Sequence, residues 1–325
     1  MTDNAIDTGT IGIVQLGPLG DTILTTPLFI ALRELYPDAR LTLIASSAAA
    51  TIGRYQKCID DVFEVSHGVV GLLGAMVRMR MRSFDLYIDP KDHRSSTSRL
   101  LMNVARATRV IAHSANLSST LSGSSMVNVL TGSGGAGHFV DRMLAPVHVL
   151  APEYVANRRP RLDIPSTALV EAARIRQLIG DGYAVLNVSA GSESRYWRVD
   201  RFVAIAQWLP QQLHVVLLSA PKDRAMANEI ASVRERSVVA HTRDILEVAA
   251  IVEHASIVVT TDTSVVHVAS AFNTPTVALY PNDRDNLQLF SPLASHHRAI
   301  RAPDGGGVAD ISVRDVQAAI EIILA

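Results

Sequence analysis

Three short stretches combine residue types that could move a proton or hold a phosphate. The first is Gly17-Pro18-Leu19-Gly20-Asp21, which follows the apolar run Ile11–Leu16 and precedes a helix-period pattern. Glycines let a backbone turn sharply and approach a ligand closely, and open α/β sheets hold their ligands beyond the carboxyl ends of the strands. Asp21 is therefore a candidate general base for an attacking hydroxyl. The positive end of a helix would favour the ionised form that such a base needs. The other reading of the same carboxylate is a helix N-cap.

The second stretch is Asp262-Thr263-Ser264, which ends an apolar strand pattern, with His267 one turn into the helix that follows. Exposed N–H groups at a helix start, with small hydroxylated residues beside them, make a seat for phosphate, and the two phosphates of a nucleotide-sugar would fit. His267 could donate a hydrogen bond or a positive charge to them. The bland alternative has Asp262 capping the helix and His267 as a satisfied, semi-buried histidine. The third stretch, Asn187–Phe202, has a small-residue loop around Gly191, with Arg195 and Arg198 on either side of Trp197. Such a loop can approach phosphates while an arginine neutralises them. An ordinary surface loop with Trp197 buried in the core is the competing reading.

Other patterns are weaker. Asp283-Arg284-Asp285 has carboxylate-x-carboxylate spacing, but two doubly wound domains have no evident need of a metal there. The adjacent His296 and His297 have no matching ligand set, so no metal site is assigned. Met76–Arg82 mixes arginine with methionine. A contact with a membrane surface is one reading, and a solvated helix face with arginine stems covering apolar surface is the preferred one.

These residues need a scaffold, and the sequence describes one. Short aliphatic runs alternate with longer helix-period segments, the signature of βαβ units and parallel sheets. The patterns predict strands at 11–16, 41–45, 85–89 and 109–112, with helices near 23–36, 69–82 and 95–107. Pro27 either begins the first helix behind a Thr26 cap or kinks one that starts nearer Asp21. The serine- and glycine-rich stretch 114–137 reads as a mobile surface loop on the substrate side. The best domain boundary is 151–165, which contains Pro152, Pro160, Pro165 and three arginines. The second half repeats the pattern, with strands expected at 184–189, 214–219, 238–241, 256–260 and 276–280. Helices are expected near 167–179, 200–209, 222–234, 244–253, 264–272 and 313–324. The result is two doubly wound domains in series with a cleft between them.

Composition limits the function. The 325 residues suit about two domains, and 48% hydrophobic residues supply their cores. A net charge of −1 gives no field that would recruit nucleic acid. The single cysteine, Cys58, excludes an internal disulfide framework and fits a reducing compartment. The polar N-terminus lacks a signal-peptide layout, and no apolar run is long enough to span a bilayer. The expected location is cytoplasmic.

Taken together, the three segments resemble the bacterial heptosyltransferases of glycosyltransferase family 9. The run Leu16–Ile44, including Tyr36-Pro37-Asp38-Ala39, is similar to that family's N-terminal signature. Arg195-Tyr196-Trp197 is similar to its basic-x-Trp motif, and Asp262–His267 to its Asp-Thr-Gly-x-x-His motif. Order and spacing agree over nearly the whole chain. The resemblance implies a GT-B fold, with an acceptor-binding Rossmann-like domain over 1–157 and a nucleotide-sugar-binding one over 158–325. The final helix could pack back on the first domain.

It further implies inverting, metal-independent transfer with no cofactor, from a nucleotide-sugar donor, with ADP-heptose expected. The acceptor would be a saccharide or glycolipid of the lipopolysaccharide core or a related surface glycan, reached at the cytoplasmic face of the inner membrane. By this likeness Asp21 is the base, with Gly17 and Gly20 in the acceptor-side loop. Gly191, Arg195, Asp223, Asp262, Thr263, Ser264 and His267 form the donor side, and Asp223 contacts the ribose.

Three residues depart from the family pattern. Ser264 replaces a glycine, Arg195 replaces a lysine, and Pro281-Asn282-Asp283 replaces a Gly-Pro-Thr turn. Two other functions share the scaffold. A nucleotide-sugar epimerase would need further acid/base carboxylates that the sequence does not single out. A catalytically degenerate nucleotide-sugar-binding protein would be favoured by the departures at Ser264 and Pro281.

Overall fold

The structure is a computed structural model that describes residues 8–91, 93–112, 125–128 and 137–325. It divides into two compact units, Met1–Arg158 and Arg159–Ala325. Residues 154–165 carry neither helix nor strand.

The first unit is built from β1 (Thr10–Gln15), α1 (Leu19–Leu35), β2 (Arg40–Ser46), α2 (Ser47–Gly53), β3 (Asp61–Val65) and α3 (Gly68–Arg80). There follow β4 (Ser83–Asp89), α4 (Ser96–Val104), β5 (Arg106–Ala112), β6 (Ser125–Asn128) and α5 (Phe139–Leu150). Its six strands are all parallel, in the order β3-β2-β1-β4-β5-β6. The central strand β1 pairs with β2 on one side and β4 on the other, and Ile11, Ile13 and Val14 are buried. Ala75 and Met79 of α3, with Leu101 and Met102 of α4, close one face of the sheet. Helices α1, α2 and α5 pack together as a separate layer.

The second unit repeats the plan with α6 (Leu169–Ile179), β7 (Tyr183–Asn187), α7 (Val199–Trp208), β8 (Val215–Leu218), α8 (Arg224–Ser232) and β9 (Ser237–Val239). It continues with α9 (Ile245–Val252), β10 (Ala255–Thr261), α10 (Ser264–Phe272), β11 (Thr276–Tyr280), α11 (Arg284–Phe290), β12 (His297–Arg301) and α12 (Val313–Leu324). Its parallel sheet runs β12-β11-β10-β7-β8-β9. Both orders are the doubly wound arrangement, in which the strand order reverses beside the first strand. The reversal falls between β1 and β4 in one unit and between β7 and β10 in the other.

Several expectations need correction. Of the two readings of Pro27, the helix that starts near Asp21 is the one found: α1 starts at Leu19, Thr26 is not its cap and Pro27 lies buried inside it. Proline cannot donate to the carbonyl one turn back. The Thr26 hydroxyl donates to that carbonyl, Ile23 O, at 2.7 Å, and the helix continues.

The final helix α12 buries Val316, Ala319 and Ile320 in the core of its own unit. Most of the loop expected at 114–137 lies outside the described residues, but Ser125–Asn128 is a strand paired with β5. Elements α2, β3, α5, α11 and β12 were also not foreseen.

Candidate active site

In the first unit, Asp21 is the third residue of α1. The cap position is held by Pro18, and no side chain caps the helix. The carboxylate is therefore not an N-cap, while the first turn still gives it the stabilising field of the helix end.

Gly17 has no left-handed backbone, so its glycine serves space rather than a turn. A Cβ there would lie 2.8 Å from Gln15 Oε1 and 3.0 Å from Asp21 Oδ2. Gln15 braces this corner: its Oε1 accepts the Gly17 N–H at 2.8 Å and its Nε2 donates to Thr25 Oγ1 at 2.6 Å. Gly20 is the second residue of α1 and likewise has no left-handed backbone.

Asp21 lines a recess with about 360 Å³ of empty space, part of it open to solvent. Gln15, Gly17, Asp89, Lys91, His93 and Ser98 share its wall. Asp89 ends β4, across the strand-order reversal from β1 and the start of α1, which carries Asp21. It is buried and accepts hydrogen bonds from the Ser98 hydroxyl and, at 3.2 Å, from the Lys91 N–H. Burial pushes its carboxyl above the usual carboxylate range, against those hydrogen bonds and the charges of Lys91 and His93.

In the second unit, Asn187 at the end of β7 donates to Thr260 Oγ1 at 2.9 Å, to Thr263 Oγ1 at 3.2 Å and to Ser189 O at 3.3 Å. One amide thus joins the ends of β7 and β10. Thr263, not Asp262, caps α10, accepting from the Val265 N–H at 3.3 Å. The Asp262 carboxylate instead accepts from Asn286 Nδ2 at 2.9 Å and lies 3.4 Å from the Arg195 guanidinium. Burial raises its pKa, although the Asn286 hydrogen bond and the Arg195 charge pull the other way.

Arg195 also donates to Asp262 O at 3.4 Å, so a half-exposed cation stands at the start of α10. Ser264 is the first residue of that helix. Trp197 is buried, donates from Nε1 to Ile311 O at 2.9 Å and meets Phe202 edge-on at 4.9 Å. It anchors the loop from below. Arg198 turns away to Asp200.

His267 is buried, with its ring 6.1 Å from that of Phe290. Gly191 faces open space. Asp223 accepts the Tyr196 hydroxyl at 2.9–3.0 Å, and Lys222 lies over the Tyr196 ring and donates to Ala190 O at 3.4 Å. The loop after β7 is therefore flanked by two clusters, Arg195–Asp262–Asn286 on one side and Tyr196–Asp223–Lys222 on the other. Asp283 caps α11 through the Asn286 N–H at 2.9 Å, so its carboxylate serves the helix.

Sequence reasoning missed Asp89, Asn187, Lys222 and Asn286. Asp89 and Asn187 carried a usable signal, a polar residue at the last position of a buried strand. Asn286 carried none, because α11 itself was not foreseen.

Comparison with known proteins finds relatives in sequence and in fold. The family model described as glycosyltransferase family 9 (heptosyltransferase) matches residues 79–308. Lipopolysaccharide heptosyltransferase 3 of Escherichia coli is 22% identical over 276 residues, covering 80% of each chain. Among solved structures, a family 9 glycosyl transferase from Veillonella parvula superposes with a TM-score of 0.83 at 18% identity, over 97% of both chains. E. coli heptosyltransferase WaaC with ADP gives 0.76 at 15% identity, over 96% of this chain and 99% of that one. E. coli ADP-heptose lipopolysaccharide heptosyltransferase II gives 0.76 at 17% identity, over 97% and 98%.

Proposed function

From the premise that the chain belongs to glycosyltransferase family 9 and has the GT-B fold, we propose that this glycosyltransferase moves a heptose from ADP-heptose to a lipopolysaccharide-core acceptor with inversion. The acceptor hydroxyl lies in the recess beside Asp21, which takes its proton. The acceptor oxygen then bonds to the anomeric carbon as the bond from that carbon to the diphosphate oxygen breaks, and ADP leaves with the electron pair. A single displacement of this kind inverts the anomeric centre.

The leaving diphosphate meets the N-terminus of α10 and Arg195, with Lys222 near Gly191 on the other flank of the same loop. These groups supply positive charge from the protein itself, so the reading needs no metal. Asp223 is assigned to the ribose and His267 to the wall of the donor pocket. The observation that carries the reading is that Asp21 caps no helix and lines the recess at the edge of its sheet.

The experiment is incubation of the protein with ADP-heptose and a heptose-deficient core oligosaccharide in EDTA. Mass spectrometry reports transfer, and proton NMR reports the anomeric configuration of the product. One added heptose with inverted configuration is expected. Retention, an epimerised donor or nucleotide binding without transfer would overturn the reading.

A further inference from the structure

Helix α3 presents an apolar face that the fold does not use. Its inner side, Ala75 and Met79 with Leu72 and Met76, completes the core of the first unit. On the outer side Val69, Val70, Leu73, Val77 and Met81 are 75%, 85%, 56%, 68% and 84% exposed. They are five of the fourteen exposed large apolar side chains among the described residues, and all lie on or just after this one helix. At about 100° per residue they fall within roughly a third of the helix circumference. This is a continuous stripe, not scatter of the kind any surface shows.

The helix segment itself carries charge of one sign, while the neighbouring carboxylates Asp61 and Glu64 lie on β3, beside Arg82 and Arg78. From Val65 to Phe84 the sequence has Arg78, Arg80 and Arg82 and no aspartate or glutamate. Arg78 and Arg82 lie over the Phe63 ring at 4.8 and 5.1 Å, and Arg82 also pairs with Asp61. Arg80 is exposed beside the stripe and makes no ion pair among the described residues.

We propose that α3 is a membrane-surface helix, which lays its aliphatic stripe among the acyl chains of an anionic bilayer while its arginines meet lipid phosphates. A second copy of the chain is a poorer occupant, since neither α3 would bring a carboxylate to the other's guanidinium groups. The stripe also lacks the tryptophan and tyrosine that anchor protein interfaces, whereas valine, leucine and methionine partition readily into hydrocarbon. Helix α3 packs beside α4, whose Ser98 lines the recess holding Asp21. A lipid-borne acceptor would be gathered at the surface that serves its own recess. The inference stands independently of the donor and acceptor proposed above.

The test is flotation of the full chain with vesicles of phosphatidylcholine alone and with vesicles in which about a quarter of the lipid is phosphatidylglycerol. The protein should float with the anionic vesicles and be released as salt is raised to about 0.5 M. The pair Val70→Glu and Val77→Glu should cut the bound fraction on the order of tenfold, with the thermal melting curve unchanged. In a separate variant, Val70→Trp, tryptophan emission should shift to the blue when anionic vesicles are added. No flotation of the parent chain, equal flotation of the glutamate variant or an unshifted emission would overturn the proposal. So would a concentration-dependent dimer that the glutamate variant abolishes, because a second copy would then cover the face.

Discussion

The substitution Gly17→Ala separates the geometry of Asp21 from the stability of the fold. The added methyl would sit 2.8 Å from Gln15 Oε1 and 3.0 Å from Asp21 Oδ2, so one or both must retreat by about half an ångström to reach ordinary contact. Gln15 is held at both ends of its amide, and moving it weakens hydrogen bonds worth about 1 kcal/mol each. The Asp21 carboxylate gives way more easily. A misplacement of about 1 Å can cost on the order of a hundredfold in rate, so half of that predicts a kcat lower by about tenfold, or about 1.4 kcal/mol of barrier.

The effect on stability is small because two terms oppose. The strained hydrogen bonds cost about 1 kcal/mol, while alanine removes unfolded-chain entropy worth about 0.4–1 kcal/mol. The backbone at Gly17 is accessible to alanine. The assay is ADP release from ADP-heptose at saturating acceptor, with ADP affinity measured by calorimetry and stability by urea unfolding. The expected result is a roughly tenfold fall in kcat with ADP affinity unchanged, since the donor residues belong to the other unit. An unchanged kcat would refute the claim that Gly17 is there to make room for a working carboxylate.

Three further outcomes follow. Burial raises the pKa of Asp89 above its ordinary 3.8, so stability is full below the unfolded value and declines as pH rises through the native one. Asp89→Asn cannot ionise. In urea unfolding between about pH 4 and pH 7 the parent chain should lose stability relative to this variant as pH rises, and a flat or opposite difference would count against a buried, reluctant carboxylate. Arg195→Ala should weaken ADP binding by about ten- to a hundredfold in calorimetry, the worth of a charge-assisted phosphate contact, with Arg195→Lys recovering only part. Equal affinity would remove Arg195 from the phosphate seat. Trp197→Phe deletes the N–H donated to Ile311 O, but that carbonyl also accepts from Arg201. The cost should be about 1–2 kcal/mol in urea unfolding, and no loss would mean that the loop is anchored elsewhere.

The sequence was most legible where one physical signal acted alone. The central strands β1, β7, β10 and β11 each carry a short aliphatic run and are largely buried, as expected of parallel strands covered on both faces. The edge strands β3 and β12 carry charged residues on their exposed side and were overlooked, although Phe63 and Val65 alternate with Val62 and Glu64 as a half-buried strand should. Helix α5 was hidden by Pro146, which reads as a breaker but lies buried inside the helix.

At the site, the residue types were legible but not their jobs. Thr263 and Asp262 are both acceptable caps by composition. The choice fell to Thr263 because Asn286, 24 residues further on in α11, takes the Asp262 carboxylate. Asp21 was readable as a base or as a cap, and the start of α1 at Leu19 takes it out of the cap position. Contacts set by tertiary structure have no local sequence signature.

The central claim is that Asp21 removes the proton of the acceptor hydroxyl. Asp21→Asn keeps the shape of the side chain and removes its basicity, so the most direct measurement is the single-turnover transfer rate of this variant from ADP-heptose, with ADP affinity determined on the same sample. The prediction is a rate lower by about a hundred- to ten-thousandfold with ADP affinity unchanged. Transfer at the parent rate would contradict the assignment.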